Sequence, residues 1–125
     1  MPQNEPMSAP LLTVVETSAF VRKAEKLLTE EEHDELLLYL SIYHRVGDEI
    51  PGTGGVRKLR YAIGGRGKSG GVRVIYYFFD EANPVLALLL YGKNEQASLT
   101  PAEKKWATSL AAAMKAEAKA RRMKR

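Results

Sequence analysis

No cysteine occurs in the 125 residues, which removes disulfides, zinc fingers, iron–sulfur clusters and thiol catalysis together. Long apolar runs are absent too. The longest, Val85 to Tyr91, falls far short of the roughly 18–20 residues that a membrane-spanning helix needs, so no membrane partner is expected. Histidine is scarce. His33 and His44 stand eleven apart, carry no paired metal spacing, and read as surface residues. Neither a metal nor any other cofactor is expected. Residues 1–10 lack both a basic start and an apolar core, so no signal peptide is expected and a cytoplasmic location follows as an expectation.

One absence is local and more informative. Residues 51–79 contain no acid at all, but they contain Arg57, Lys58, Arg60, Arg66, Lys68 and Arg73. The acids lie mostly in residues 1–50, while residues 101–125 are again basic, and the whole chain carries a net charge of +4. A cationic block without counter-charge resembles an electrostatic footprint for phosphate. A solvated, charged hairpin is the plain alternative.

Hydrophobic residues make up 45% of the chain, enough for one packed domain of ordinary size. Residues 1–10 hold three prolines and read as a flexible tail. A single domain is expected over residues 11–119, followed by a basic tail over 120–125. Within the domain, Leu11 to Glu16 reads as a first strand. Thr17 or Ser18 caps a helix to Leu28, with Phe20, Ala24 and Leu27 at helical spacing. Thr29 and Glu32 form a capping box for a second helix, with buried positions predicted at Leu36, Leu37, Leu40, Tyr43 and Val46 and a stop at Gly47.

Pro51 to Gly55 is a glycine-rich connection. Val56 to Ala62, Val72 to Phe79 and Val85 to Tyr91 read as three strands joined by short connections, hence an antiparallel meander. Thr100, Pro101 and Glu103 open a last helix, with Trp106, Leu110 and Met114 predicted on its buried face. Tyr76, Tyr77, Phe78 and Phe79 read mostly as sheet core. The element order β-α-α-β-β-β-α gives an α+β domain: an antiparallel sheet of about four strands with helices packed on it.

Three places could carry chemistry. In Gly64 to Gly71 the tripeptide Gly67-Lys68-Ser69 looks like the end of a P-loop, but Ala62 stands where the first glycine belongs and a strand follows instead of a helix. Arg66 and Lys68 remain candidates for a phosphodiester backbone. On the strands, alternation puts Lys58 and Arg60 on one face and Arg57 on the other, while Arg73 shares a face with Ile75 and Tyr77. Cations side by side on neighbouring strands repel unless something anionic lies between them. The third place is Tyr91-Gly92-Lys93-Asn94-Glu95, where the last strand ends.

These pieces in order, Pro51-Gly52-Thr53-Gly54-Gly55-Val56-Arg57-Lys58-Leu59-Arg60, then Gly65-Arg66-Gly67-Lys68-Ser69-Gly70-Gly71-Val72-Arg73-Val74-Ile75-Tyr76-Tyr77, then Leu90-Tyr91-Gly92-Lys93-Asn94-Glu95 with a following Leu99-Thr100, resemble the RelE/HigB toxin superfamily, in its HigB-like branch. The resemblance implies a RelE-like fold and the toxin of a type II toxin–antitoxin pair. It implies a ribosome-dependent mRNA endoribonuclease that uses the RNA's own 2′-hydroxyl, with the 70S ribosome and A-site mRNA as partners. A cognate antitoxin, usually of helix-turn-helix type, would silence it.

By match to the family pattern, Lys58, Arg60, Arg73, Lys93 and Asn94 fall on catalytic positions. Tyr91, Tyr76 or a lysine could supply the acid–base group, because Asn94 and Thr100 depart from the arginine and tyrosine that RelE proper often carries. Arg57, Arg66 and Lys68 would hold RNA phosphates. A non-catalytic RNA-binding or gyrase-type target-poisoning protein on the same fold is the other reading.

Overall fold

The computed structural model describes residues 11–63 and 71–123. Along the chain run β1 (Val14–Glu16), α1 (Ser18–Leu27), α2 (Glu30–Ile42), β2 (Asp48–Glu49), β3 (Val56–Tyr61), β4 (Val72–Tyr77), β5 (Val85–Gly92) and α3 (Pro101–Met123). The α+β class holds, with two differences in the sheet. It has five strands, ordered β1-β5-β4-β3-β2, because the two residues of β2 add an outer strand beside β3. β1 joins the far edge parallel to β5, so the sheet is mixed. Two helices lie between β1 and the meander, enough chain for such a crossover.

The helices divide between the two faces. On one, Phe20 and Ala24 of α1 and Leu36 and Leu40 of α2 pack against Val72, Val74, Tyr76, Val85, Ala87 and Leu90. On the other, Ala107 and Ala111 of α3 pack against Val56, Ile75, Tyr77, Leu88 and Tyr91. Local chemistry sets the helix starts. Thr17 caps α1 through the Phe20 amide at 3.0 Å. Thr29 and Glu32 close the capping box of α2 at 3.1 and 2.8 Å. Such caps contribute about 1 kcal/mol each.

Several local expectations change. α2 stops at Ile42, so Tyr43 and Val46 are exposed instead of buried. Gly47 is therefore no helix stop. It lies against Tyr76, whose hydroxyl accepts from the Gly47 amide at 2.8 Å, and a Cβ there would meet that hydroxyl at 2.7 Å. Trp106 is 38% exposed. The alanines at 107, 111 and 118 face the sheet, since small side chains let the helix lie close, and Leu110 and Met114 are partly buried beside them. The helix continues past residue 119 to Met123, where Arg121 donates to Asn83 at 2.9 Å and Arg122 to Asp80 at 2.6 Å.

Of the two histidines, His44 departs from the surface reading and His33 is partly exposed. His44 is buried, its ring 4.4 Å from that of Phe78, and His33 pairs with Glu16 under partial cover.

Candidate active site

The strand register builds the site. β3 and β4 pair antiparallel, with Arg60 opposite Arg73 and Lys58 opposite Ile75. Arg73 in turn stands opposite Tyr91 of β5. Directly opposed residues share a face, so Arg60, Arg73 and Tyr91 form one row across three strands, on the side that α3 covers. Asp48 of β2 is opposite Lys58 and joins the next row.

Tyr91 reaches this face through an irregularity. Ile75 pairs with Leu89 but Tyr76 pairs with Ala87, so Leu88 is an extra residue in β5. A bulge of this kind interrupts the strict alternation of side chains. Val85 and Ala87 face α1 and α2, while both Leu88 and Leu89 turn toward α3. Leu90 then returns to the first face and Tyr91 to the second. The bulged carbonyl is satisfied, because the Thr17 hydroxyl donates to the Leu88 oxygen at 2.7 Å.

Beyond the helix's cover the face opens into a cleft of about 760 Å³, lined by Asp48, Lys58, Arg60, Arg73, Lys93 and Asn94 among others. Lys93 and Asn94 sit on the turn after β5. That turn is closed by Glu95, which accepts from the Gly92 amide at 3.1 Å and pairs with Lys23 of α1. The Lys23 ammonium, with the Gly92 amide, holds the Glu95 carboxyl below its ordinary range. Glu95 thus anchors the loop and leaves Lys93 to the cleft.

Among the described residues, the side chains of Lys58, Arg60, Arg73 and Lys93 have no ion pair and no hydrogen bond. Arg60 and Arg73, directly opposed, repel by a few tenths of a kcal/mol or more. Beneath them Tyr91 is buried and its hydroxyl has no partner among the described residues. Burial pushes that hydroxyl above the ordinary tyrosine range; Arg73 pulls it back and Glu103 pushes it further up.

Of the residues that the sequence singles out, the structure brings Lys58, Arg60, Arg73, Lys93 and Asn94 together at one cleft, with Tyr91 below. Arg57 is on the opposite face. Its guanidinium donates to the carbonyls of Arg45 and Gly47 at 2.9 and 2.7 Å and lies 3.4 Å from Glu49. Tyr76 is fully buried on that same opposite face, bonded to Gly47. Arg66 and Lys68 lie outside the described residues. Sequence reasoning missed Asp48, the carboxylate in the cleft lining. Its two-residue strand is too short to leave a periodic signal, and only the register reveals it.

Among the described residues, no three His, Asp or Glu side chains are placed to hold a metal ion, and no helix is long and apolar enough to cross a membrane. The described residues thus form a small α+β domain whose cleft carries four cations without a partner among them. The model of the family described as "RelE toxin of RelE / RelB toxin-antitoxin system" matches residues 14–125. The chain belongs to that RelE toxin family. It is also similar to a solved structure of a mutant of the E. coli toxin RelE in the free state. The two share 16% identity, with a TM-score of 0.49, over 68% of this chain and 86% of that one.

Proposed function

We propose that this toxin-family protein is a ribosome-dependent mRNA endoribonuclease whose cleavage of translated message stops protein synthesis. The observation that carries the reading is the cationic cleft: four cations without partners among the described residues, two of them directly opposed across a strand pair. Such an arrangement is unfavourable until an anion enters. A phosphodiester fits it. Arg60 and Arg73 bracket the phosphate and stabilise the charge that develops when the 2′-hydroxyl attacks. Lys58 and Lys93 flank them, and Asn94 offers an amide to the sugar or base. Arg66 and Lys68 grip RNA backbone.

The cleft contains no histidine. Free RNA would be cut slowly by such a site, and orientation of the 2′-hydroxyl by the ribosome supplies much of the acceleration. Action on the ribosome makes the cytoplasm the site of action. An antitoxin that covers or distorts the cleft silences the protein; on the HigB-like sequence pattern it is of helix-turn-helix type.

Induced expression of the wild type and of Arg73→Ala, with primer extension on a translated and an untranslated reporter, tests this. Growth arrest with cuts in translated message alone is expected, with cleavage reduced by about 100-fold or more in Arg73→Ala. Arrest without cuts would replace the nuclease by a target-poisoning protein. No arrest from soluble, folded protein would leave a binding role.

A further inference from the structure

Cleavage by a 2′-hydroxyl needs a proton acceptor, and the cleft offers few. Lysine and arginine side chains are hydrogen-bond donors, and the amides of Asn94 and Gln96 are not basic. Asp48 is the carboxylate in the lining. It stands directly opposite Lys58, so its side chain is on the face of the arginine row. Among the described residues it has no ion pair and no hydrogen bond through its side chain, although Lys58 is its cross-strand neighbour. The next residue behaves differently: Glu49, on the other face, lies 3.4 Å from Arg57. The two acids of one short strand thus have separate surroundings, one held by a structural arginine and one left open to the cleft.

Position adds to this. β2 is the outermost strand on one side of the row, and Lys93 follows β5 on the other. With strands about 4.8 Å apart, the backbones of β2 and β5 are about 14 Å from each other, and the arginines lie between. A phosphate held by Arg60 and Arg73 therefore has a carboxylate on one flank and an ammonium on the other. In-line displacement wants this disposition: a base beside the attacking oxygen and an acid beside the leaving one.

We infer that Asp48 is the general base of the RNA cleavage reaction, accepting the 2′-hydroxyl proton from a substrate whose scissile phosphate lies between Arg60 and Arg73. The inference rests on the nuclease reading above. The 2′ oxygen forms its bond to phosphorus as Asp48 takes the proton. The bond from phosphorus to the 5′ oxygen breaks, and that oxygen takes a proton from the Lys93 ammonium. The products are a 2′,3′-cyclic phosphate and a 5′-hydroxyl. Water then returns Asp48 and Lys93 to their starting states, so no oxidant, reductant or second substrate enters.

The test compares wild type, Asp48→Asn, Asp48→Glu and Arg73→Ala on ribosomes programmed with a short message, over a range of pH. Asp48→Asn should cut about 100-fold more slowly or worse, bind ribosomes as the wild type does, and lose the acid limb of the pH–rate profile. Asp48→Glu should keep that limb and recover part of the rate. Melting temperatures of both variants, which change an exposed side chain, show whether the fold is intact. Wild-type rate in Asp48→Asn, or a slower rate with the acid limb unchanged, would overturn the assignment while the nuclease reading stands. If the wild type cuts no message at all, the nuclease reading falls and the assignment with it.

Discussion

The molecule handles its arginines in two ways. At the end where β4 leaves the sheet, each described arginine has a partner: Arg45 meets Glu81 at 2.8 Å, Arg57 holds the carbonyls of 45 and 47, and Arg121 and Arg122 reach Asn83 and Asp80. Arg45 also lies 4.8 Å over the ring of Phe78. At the other end, Arg60, Arg73, Lys58 and Lys93 have no such partners among the described residues. Both ends belong to one sheet, and the same residue types serve both. The first end uses charge to fasten turns. The second leaves its charges without partners among the described residues, at a small cost in stability.

The contrast can be pressed hardest at the fastened end. Gly47→Ala would drive a methyl group into the Tyr76 ring and hydroxyl, at 2.7 to 2.8 Å. We expect a loss of about 1–3 kcal/mol in urea denaturation, as for other overpacked cores. A variant as stable as wild type would mean that the turn carrying Arg57's acceptor carbonyls is soft.

A smaller effect is expected at Asp80. Burial alone would raise its carboxyl, but hydrogen bonds from Asn83, the Ala82 amide and Arg122 outweigh it and hold the group below the ordinary range. A carboxyl with a lowered folded pKa stabilises the protein fully above its unfolded value, about 3.9, and loses that contribution as pH falls through the folded value. Asp80→Asn should therefore cost roughly 0.5–1 kcal/mol near pH 7, allowing for its exposure, and the gap to wild type should close below about pH 4. Thermal melts at a series of pH values measure it. A gap that persists in acid would show that shape, not charge, fastens the end of α3.

The smallest effect has the opposite sign. Arg60→Gln relieves the opposed pair and should stabilise the fold by a few tenths of a kcal/mol at low ionic strength, while cleavage falls. The gain should vanish in about 1 M salt, where the screening length is near 3 Å. Destabilisation instead would mean that Arg60 belongs with the fastened arginines.

Much of this was legible in the chain. The helix starts could be read because Thr17, Thr29 and Glu32 act through neighbours three residues away. The meander could be read from β-branched and aromatic runs, and the shared face of Lys58 and Arg60 from alternation alone. What escaped depends on distance along the chain. The pairing of β1 with β5, the addition of β2 beside β3 and the packing phase of an alanine-rich α3 are chosen by tertiary contacts. His44 looked exposed because nothing near it in sequence announces Phe78. Asp48 was invisible as a site residue for the same reason: its significance comes from the residue across the strand, ten positions later.

The extra residue at Leu88 lets β5 serve two masters. Ahead of it, the odd positions Val85 and Ala87 face the first two helices; behind it, the even position Leu90 faces them and the odd position Tyr91 turns to the cleft side. The strand is thus two words separated by a single-letter space. Removing Leu88 alone would close the space: Ala87 and Leu89 would alternate strictly opposite Tyr76 and Ile75, and Leu90 and Tyr91 would keep their faces. A lineage carrying that deletion would keep Tyr91 opposite Arg73 and lose the carbonyl to which the Thr17 hydroxyl now donates. The position at which a chain of this build best absorbs a one-residue loss of length therefore lies inside a buried central strand, away from the charged surface.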